Sequence, residues 1–257
     1  MTKRILCWFS CGAASAVATK LAIADNAGEL PLVIAYTEVI EEHPDNKRFL
    51  AECQEWFGQE IIILGNDKYK RSVREVFSRS GFLKGPHGAP CTGILKKRVR
   101  KDFEMPTDRQ VFGYTAEEQV RVDRFIDRNN DVDIWVPLID RGLLKSDVLA
   151  MVDNAGIDLP EMYKLGYRNN NCIGCVKGEA GYWNKIRVDF PETFEWMAQT
   201  EERIGATVCK IEWTEDGERK RKRVSLRDLP PDAGHYPSEP DISCGIFCSM
   251  AEKEIEK

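Results

Sequence analysis

Residues 4–18, RILCWFSCGAASAVA, decide the fold of this protein. The first six residues are an apolar run, and the residues from Ala13 onward are helix formers. The short stretch between them contains only small side chains. A strand, a tight loop and a helix in this order predict the first unit of an α/β sheet, with a loop that can receive an anion at the helix N-terminus.

The same alternation continues along the chain. Apolar runs at 31–39, 61–64, 109–115 and 134–138 predict further strands, with helices between them. We therefore expect an α/β fold with an open, mostly parallel sheet and helices on both faces over residues 1–205. Asp216-Gly217, between two β-patterned runs, predicts a small hairpin, and the prolines after it predict an extended tail within 206–257.

Composition and charge exclude several classes of protein. The 257 residues are 42% hydrophobic and 31% charged, which is typical of a globular chain and not of a disordered or fibrous one. No apolar run approaches the about 18 residues of a membrane span, and no signal peptide is recognisable, so we expect a cytoplasmic protein without a membrane partner. A net charge of −5 argues against a general polyanion binder, although 37 Lys and Arg residues can still form a local anion site.

Nine cysteines in a chain without a secretory signal favour metal, cluster or redox roles. The motif CIGC at 172–175 is the most specific of them. Cys172 and Cys175, on a Gly-containing turn, have the spacing of a metal site or of two corners of an iron–sulfur cluster. A structural zinc site that also uses Cys244 and Cys248 is an alternative, and a redox dithiol is another.

The loop at 10–15, SCGAAS, is similar to the Ser-Gly-Gly-x-Asp-Ser loop of the PP-loop, or adenine-nucleotide α-hydrolase, superfamily. It differs from that pattern at Cys11 and Ala14. Ser15-Ala16-Val17 resembles the modified loop of the phosphoadenosine-phosphosulfate reductase branch. The resemblance implies an adenine-nucleotide α-hydrolase-like fold and a loop that holds the nucleotide phosphates through Ser10, Cys11, Gly12, Ala13, Ala14 and Ser15.

Further motifs of that family follow in order, so that the resemblance covers about residues 4–205. Thr37 matches the middle residue of the family's Asp-Thr-Gly motif at a strand end. Cys91 and the basic segment after it resemble the family's Cys followed by a basic helix. The family's Gly-x-Arg-x-x-Glu-Ser motif is similar to the segment that starts at Gly113. The resemblance implies further nucleotide-binding residues at Thr37, Gly113, Tyr114, Glu117 and Arg121.

Two charged groups in these motifs have alternative interpretations. Lys96, Lys97 and Lys101 lie on the predicted helix after Cys91, and the last two share one face. That face can clamp phosphate or sulfate, or it is a solvated surface. The acidic start of the next helix, at Glu117, suits the helix dipole, or it holds ribose or Mg²⁺.

The resemblance also suggests how the cysteines combine. Assimilatory adenylyl-sulfate reductases bind a [4Fe–4S] cluster with a Cys-Cys pair and a later Cys-x-x-Cys, and here only Cys91 stands at the position of the pair. Cys91, Cys172 and Cys175 would then leave one iron open, as in cluster-dependent thiolation enzymes. Alternatively Cys244 or Cys248 is the fourth ligand.

The tail motif Cys244-Gly245-Ile246-Phe247 resembles the reductase motif Glu-Cys-Gly-Ile/Leu-His. It implies that Cys244 attacks the sulfur of a nucleotide-bound sulfate, with Lys96 favouring the thiolate, and that Cys248 or a thiol reductant such as thioredoxin then releases sulfite. Two alternatives remain open. One is an ATP-dependent sulfurtransferase that adenylates a nucleic acid or small acceptor and receives sulfur from a donor through a three-cysteine cluster. The other is a non-catalytic nucleotide-binding protein with structural zinc.

Overall fold

The computed structural model describes residues 3–86, 88–236 and 246–255. Five parallel strands form one sheet in the order β3-β2-β1-β4-β5, and an antiparallel hairpin follows. The strands are β1 (Ile5–Phe9), β2 (Leu32–Thr37), β3 (Ile61–Leu64), β4 (Arg109–Val111), β5 (Asp133–Trp135), β6 (Cys209–Glu215) and β7 (Glu218–Val224). This architecture confirms the expected α/β class and the small hairpin.

Helices flank the sheet and form most of the C-terminal part of the protein. The α-helices are α1 (Ala13–Asn26), α2 (Asn46–Phe57), α3 (Val73–Ser80), α4 (Arg98–Phe103), α5 (Gln119–Arg128), α6 (Pro137–Asp140), α7 (Lys145–Asn154), α8 (Glu161–Lys164), α9 (Ala180–Asp189), α10 (Pro191–Ile204) and α11 (Ile246–Ile255). None of the described helices is long and apolar enough to cross a membrane.

The central strand β1 is buried on both faces, because helices cover both sides of a parallel sheet. Ile5, Cys7 and Phe9 point into the larger core cluster, which also contains apolar residues of α1 and α7. Leu6 and Trp8 point into a smaller cluster on the other face. This alternation follows from the two-residue period of a strand.

The strand order creates a ligand-binding position next to β1. β2 pairs with one edge of β1 and β4 with the other, so the chain progresses in opposite directions on the two sides. Ligands of open α/β sheets bind at the carboxyl ends of strands where the order reverses in this way. The loops after β1 and β4 are therefore the expected borders of a site.

A second core lies under the C-terminal helices. Trp183 and Tyr167 are fully buried there, together with Phe77. The hairpin is attached to this core through Cys209 and Val224 at its base. Its turn is the predicted Asp216-Gly217, and both residues have positive φ, as the favoured two-residue hairpin turn requires.

The end of the chain differs from the expected extended tail, because residues 246–255 form the helix α11. Cys248 and Ala251 are buried and Ile255 packs beside them, which is the spacing of one helical face. This face lies against α1 and α7. The prolines predicted extension at residues 230–241, before this apolar period begins, and residues 237–241 of that stretch lie outside the described residues.

Candidate functional site

The loop between β1 and α1 presents a helix N-terminus without a side-chain cap. The Ser15 hydroxyl accepts a hydrogen bond from the N–H of Ser10 (3.0 Å) and donates one to the carbonyl of Gly12 (2.9 Å), so the loop is folded on itself. In the part of the chain that the structure describes, no side chain caps α1, and the first turn of this helix contains no acidic residue. The free N–H groups of this turn and the helix dipole therefore favour an anion beyond Ala13 and Ala14.

Cys11 occupies the position of the first glycine in the superfamily pattern and adopts a left-handed backbone, with φ of 54°. Its side chain is fully buried, and its sulfur lies 3.9 Å from the carbonyl oxygen of Asn46. Burial, and then the charge of Glu42, raises the pKa of the Cys11 thiol. Cys11 thus keeps the backbone shape of the loop while its thiol points into the protein core.

A cleft of about 330 Å³ opens at this helix N-terminus. It lies between the loops that follow β1 and β4, at the reversal of strand order, and its volume is in the range of small-molecule sites. Its lining residues are Ala13, Ala14, Thr115, Glu117, Glu118, Lys145, Val148, Tyr163, Arg168 and Asn169. Of the predicted nucleotide residues, the structure brings Ala13, Ala14 and Glu117 together here.

Two cations line the cleft. The Lys145 ammonium lies 5.3 Å from the centre of the Tyr163 ring. Arg168 is exposed, and its guanidinium makes no ion pair among the described residues. The backbone N–H of Arg168 donates to the hydroxyl of Tyr236 (3.0 Å), which fixes the start of this loop. An uncapped helix N-terminus and two cations together favour an anionic ligand.

Glu117 places a carboxylate at the same cleft. Its Oε1 accepts a hydrogen bond from the backbone N–H of Lys145 (3.1 Å) and thereby caps α7. Burial acts to raise the pKa of Glu117, but hydrogen bonds from Thr115 and from the Lys145 backbone outweigh it and lower the pKa. The carboxylate is therefore ionised at neutral pH and can contact a ribose hydroxyl or a cation that accompanies phosphate.

The remaining residues of the family motifs lie beside the cleft. A Cβ added to Gly113 would lie 2.6 Å from backbone atoms of Ala14 and Ser15, so the β4 loop rests directly on the first turn of α1. Arg121 lies over the Tyr114 ring (5.0 Å) and pairs with Glu118, and its side chain is 69% exposed. Thr37 ends β2 and is buried. Neither Arg121, Tyr114 nor Thr37 lines the cleft.

The thiols of Cys91, Cys172 and Cys175 lie close enough to interact electrostatically. Burial raises the pKa of Cys172, and the charges of Cys175 and Cys91 raise it further, whereas Lys96 opposes the rise. Burial, and then Cys175, also raises the pKa of Cys91. The three cysteines that the sequence singled out in the body of the chain all pack against the second core, near Lys96, and we call them the thiol cluster.

The CxxC turn is held in place from several sides. Gly174 has φ of 74°, and a Cβ on it would lie 2.5 Å from Cγ2 of Thr193. The Tyr182 hydroxyl accepts a hydrogen bond from the N–H of Cys175 (3.0 Å) and donates one to the carbonyl of Cys172 (3.3 Å). The backbone geometry of the turn and its contacts with Tyr182 therefore fix the position of both cysteines.

The thiol cluster is not arranged as a preformed metal site. Within the described ranges, no group of three or more His, Cys, Asp or Glu side chains has the geometry to hold a metal ion. Thiolate sulfur suits zinc and iron–sulfur clusters, so the donor chemistry of Cys91, Cys172 and Cys175 fits, but binding requires the thiols to rearrange.

Cys248 does not join the thiol cluster in this structure. Cys248 is fully buried on α11 in the core cluster of α1 and α7, its sulfur lies 3.9 Å from the carbonyl of Asp147, and it is disulfide-bonded. Cys244 lies outside the described residues. The assignments of Cys244 and Cys248 as catalytic or metal-binding residues stay predictions.

A buried carboxylate holds Lys96 at the thiol cluster. Glu42 Oε1 accepts a hydrogen bond from Lys96 Nζ (2.9 Å), and Oε2 accepts from the Tyr36 hydroxyl (2.6 Å) and from Asn46 Nδ2 (3.1 Å). Burial acts to lower the pKa of Lys96, but the charges of Glu42 and Cys172 outweigh it and raise the pKa. The ammonium therefore stays protonated beside the thiols.

Asn170 connects this network to the cleft. Its Nδ2 donates hydrogen bonds to the Cys11 carbonyl and to Asn46 Oδ1 (2.7 Å), while its buried Oδ1 has no partner. Asn169, which lines the cleft, and Cys172 are three residues apart, so their Cα atoms lie within about 11 Å. The cleft and the thiol cluster are thus neighbours, joined by this short segment of chain and by the hydrogen bonds of Asn170.

The basic segment after Cys91 is helical, as predicted. Residues 92–97 are a π-helix, and the α-helix α4 follows it directly. Lys96 reaches the thiol cluster, whereas Lys97 and Lys101 are exposed and make no ion pair among the described residues. Their exposure agrees with a solvated surface, and their role as a phosphate clamp stays a prediction.

Several residues of the site carry no recognisable motif in the sequence. Lys145 and Arg168 lie far apart in the chain and meet only at the cleft. Glu42 and Asn170 look like ordinary loop residues in the sequence. A larger cavity of about 420 Å³ lies beyond the end of β3, near Asn66 and Arg98, and contains no predicted site residue.

No family model matches the chain, and no curated protein is significantly similar to it. The resemblance to the phosphoadenosine-phosphosulfate reductase family therefore depends on the short motifs alone.

Proposed function

We propose that this protein is an enzyme that binds an adenine nucleotide in the cleft and reduces a nucleotide-bound sulfate through a cysteine thiolate. The observation that carries the proposal is the continuity of the site. An uncapped helix N-terminus with Lys145 and Arg168 lies at one end, and the thiol cluster with Lys96 lies at the other. The first end suits phosphate, and the second suits sulfur chemistry.

The proposed reaction proceeds in two thiol steps. A thiolate attacks the sulfur of the sulfate, an S–S bond forms, and the bond from sulfur to the bridging phosphate oxygen breaks, so that the nucleotide leaves as its phosphate. A second thiol then attacks the enzyme-bound sulfonate, a disulfide forms and sulfite leaves. The sulfur of the sulfate gains two electrons, the two thiols lose them, and an external dithiol of the thioredoxin class restores the enzyme.

The residues on either side of Cys244 support its assignment as the nucleophile. The hydroxyl of Tyr236 binds the N–H of Arg168, a lining residue of the cleft. On the C-terminal side of Cys244, α11 begins at Ile246 and packs on α7. Lys145 of α7 also lines the cleft. The described chain thus contacts elements of the cleft both before and after Cys244. In this scheme the second thiol comes from the external dithiol, or from Cys248 once this dithiol has reduced the disulfide that Cys248 forms in the structure.

The proposal predicts sulfite release from adenylyl sulfate or its 3′-phosphorylated form in the presence of a dithiol. Arg168→Ala is expected to raise the KM for the nucleotide about tenfold, equivalent to about 1.4 kcal/mol, because it removes a charge-assisted contact to phosphate. Arg203→Ala is the matched control, since Arg203 is an exposed arginine on α10 outside the cleft. Steady-state kinetics and equilibrium binding of the nucleotide measure both variants.

The same assay contains outcomes that contradict the proposal. If the native protein did not bind adenosine nucleotides, the proposal would be wrong. Equal KM values for Arg168→Ala and the native enzyme would show that the cleft does not bind the substrate. Sulfite release at the native rate by Cys244→Ser would assign the nucleophilic role to another thiol.

A second candidate function is favoured by the number of thiols in the cluster. Among the residues that the structure describes, three cysteines lie together, which is the number expected for an ATP-dependent sulfurtransferase with an open cluster position. Such an enzyme transfers the adenylyl group of ATP to an acceptor oxygen with release of pyrophosphate, and sulfur then displaces AMP. Formation of AMP and pyrophosphate from ATP only with an acceptor, and no sulfite from adenylyl sulfate, would favour this function.

Anaerobic reconstitution tests the metal proposal. We expect the protein to bind iron and sulfide, or zinc, in a stoichiometric amount, and the variants Cys91→Ser, Cys172→Ser and Cys175→Ser each to lose most of it, because thiolates are the ligands of such sites. Cys53→Ala is the control, since Cys53 is fully buried in the core of α2. Metal analysis and the visible absorption spectrum provide the readout, and equal metal content in all four variants would contradict the assignment.

A further inference from the structure

The β6–β7 hairpin extends from the second core, and beyond its base neither face is covered by the residues that the structure describes. Residues 212–223 are exposed, apart from Lys220, which is half-buried. Only the base is anchored, through the buried side chains of Cys209 and Val224 and the partly buried Ile211. The ribbon is seven residues long on each strand, or about 20 Å.

The strand register separates the charges of this ribbon onto two different faces. Residues directly opposite each other share a face, and successive residues alternate. The face of Cys209 and Val224 continues with two lysines and two glutamates, at Glu215, Glu218, Lys220 and Lys222, together with Ile211 and Trp213. The opposite face, which we call the basic face, consists of Lys210, Glu212, Thr214, Arg219, Arg221 and Arg223.

Most of the positive charge on the basic face is not neutralised. Glu212 is its only carboxylate, and it contacts Arg219. Arg223 donates a hydrogen bond to the carbonyl of Thr207 (3.4 Å), which leaves its charge uncompensated. Lys210 and Arg221 make no ion pair among the described residues. A protein with an overall charge of −5 therefore carries a local surface with three more cations than carboxylates.

The shape of the ribbon restricts the kind of polyanion. Arg219, Arg221 and Arg223 follow each other at about 6.8 Å, which is about twice the axial spacing of phosphates along one DNA strand. A two-stranded ribbon fits the about 12 Å wide major groove of B-form DNA, where arginine is the commonest base-reading side chain. The major groove of A-form RNA is too narrow for it.

We infer that the β6–β7 hairpin binds double-stranded DNA through its basic face. Lys210, Arg219, Arg221 and Arg223 contact phosphates and base edges, and the base of the ribbon keeps this face in a fixed orientation on the protein. The inference stands on the hairpin alone and does not require the proposed function. It adds a macromolecular partner that the cleft and the thiol cluster do not indicate.

Fluorescence anisotropy with a labelled DNA duplex tests the inference. We expect the full chain to bind at about 50 mM salt with a Kd in the micromolar range, and the affinity to fall as salt increases. The combined variant Arg219→Ala, Arg221→Ala and Arg223→Ala is expected to weaken binding at least about 30-fold and to reduce the slope of log K against log salt by about 3, because three phosphate contacts are lost.

The two faces of the hairpin provide a matched control. Lys220→Ala with Lys222→Ala removes cations from the same strand but from the other face, and it is expected to change the affinity less than about threefold. Replacement of the three arginines by lysine is expected to restore most of the binding, which separates charge from folding of the ribbon. Arg168→Ala, in the nucleotide cleft, is expected to bind DNA like the native protein.

Four outcomes would overturn the inference. They are absence of duplex binding at low salt, equal loss of affinity in the two alanine variants, failure of the lysine variant to restore binding, and tighter binding of duplex RNA or of an acidic protein than of duplex DNA. Loss of DNA binding with an unchanged nucleotide affinity would support the inference whether or not the proposed reaction is found.

Discussion

Replacement of Glu42 by alanine is expected to lower the free energy of unfolding by about 3 kcal/mol and the Tm by roughly 8 °C. The Glu42 side chain is only 4% exposed and accepts hydrogen bonds from Lys96, Tyr36 and Asn46. Lys96 is 39% exposed and can turn to water, but Tyr36 and Asn46 are buried and lose their acceptor. Two buried unsatisfied donors account for most of the expected loss.

Glu38→Ala is the control for this prediction. Glu38 lies in the same loop after β2 and pairs with Arg71, but its side chain is 32% exposed, and such pairs contribute about 0–1 kcal/mol. Urea unfolding of both variants gives the comparison. Equal destabilisation would show that the network around Glu42 is not the structural link between the strands and the thiol cluster.

The expected consequence for function follows from the same network. Asn46 accepts a hydrogen bond from Asn170, and Asn170 holds the carbonyl of Cys11. Loss of Glu42 therefore releases Lys96 from the thiol cluster and loosens the loop that connects this cluster to the cleft. Nucleotide affinity and metal content are both expected to fall in Glu42→Ala under conditions in which the variant is still folded.

The sheet could be predicted from the sequence because its signals are local. β1, β3 and α7 have apolar periods of the right length and are bounded by glycine or small residues. The Asp216-Gly217 pair favours a two-residue hairpin turn, in which both residues have positive φ. The order of motifs also placed the loops after β1 and β4 correctly at one edge of the sheet. These features depend on a few neighbouring residues.

The cleft could not be predicted in the same way, because its lining comes from distant parts of the chain. Arg168 and Lys145 reach the first turn of α1 only through the packing of α7 and α8. Arg121 was expected there by motif, but it pairs with Glu118 one helical turn before it. The motifs predicted where these loops lie in the chain, whereas the direction of each side chain depends on packing.

The basic segment after Cys91 shows a second limit of local signals. Residues 92–97 form a π-helix, and Lys96 is the lysine that donates to the buried Glu42. That contact depends on a residue 54 positions away in the chain, so the segment itself does not show which lysine makes it. No composition signal in this segment marks the π-helix.

Gly113→Ala is expected to destabilise the protein by about 3 kcal/mol and to weaken nucleotide binding more than about tenfold. The added Cβ would lie 2.6 Å from the backbone N and Cα of Ser15 and from the carbonyl carbon of Ala14. Backbone atoms in the first turn of a buried helix cannot move aside as the end of a flexible side chain can. The β4 loop must therefore separate from α1.

Gly93→Ala provides the matched comparison, because a Cβ there meets no atom within 4 Å and the residue lies in a helical segment. That variant is expected to be as stable as the native protein or more stable by about 0.5–1 kcal/mol. Calorimetry and nucleotide titration of the two variants separate the loss of a glycine from the loss of this contact.

If Gly113→Ala retained both stability and affinity, the two loops could not be the rigid borders of the cleft, and the anion would have to bind without the first turn of α1. A selective loss in Gly113→Ala would instead show that contact between the loops after β1 and β4 is what aims the helix N-terminus at the ligand.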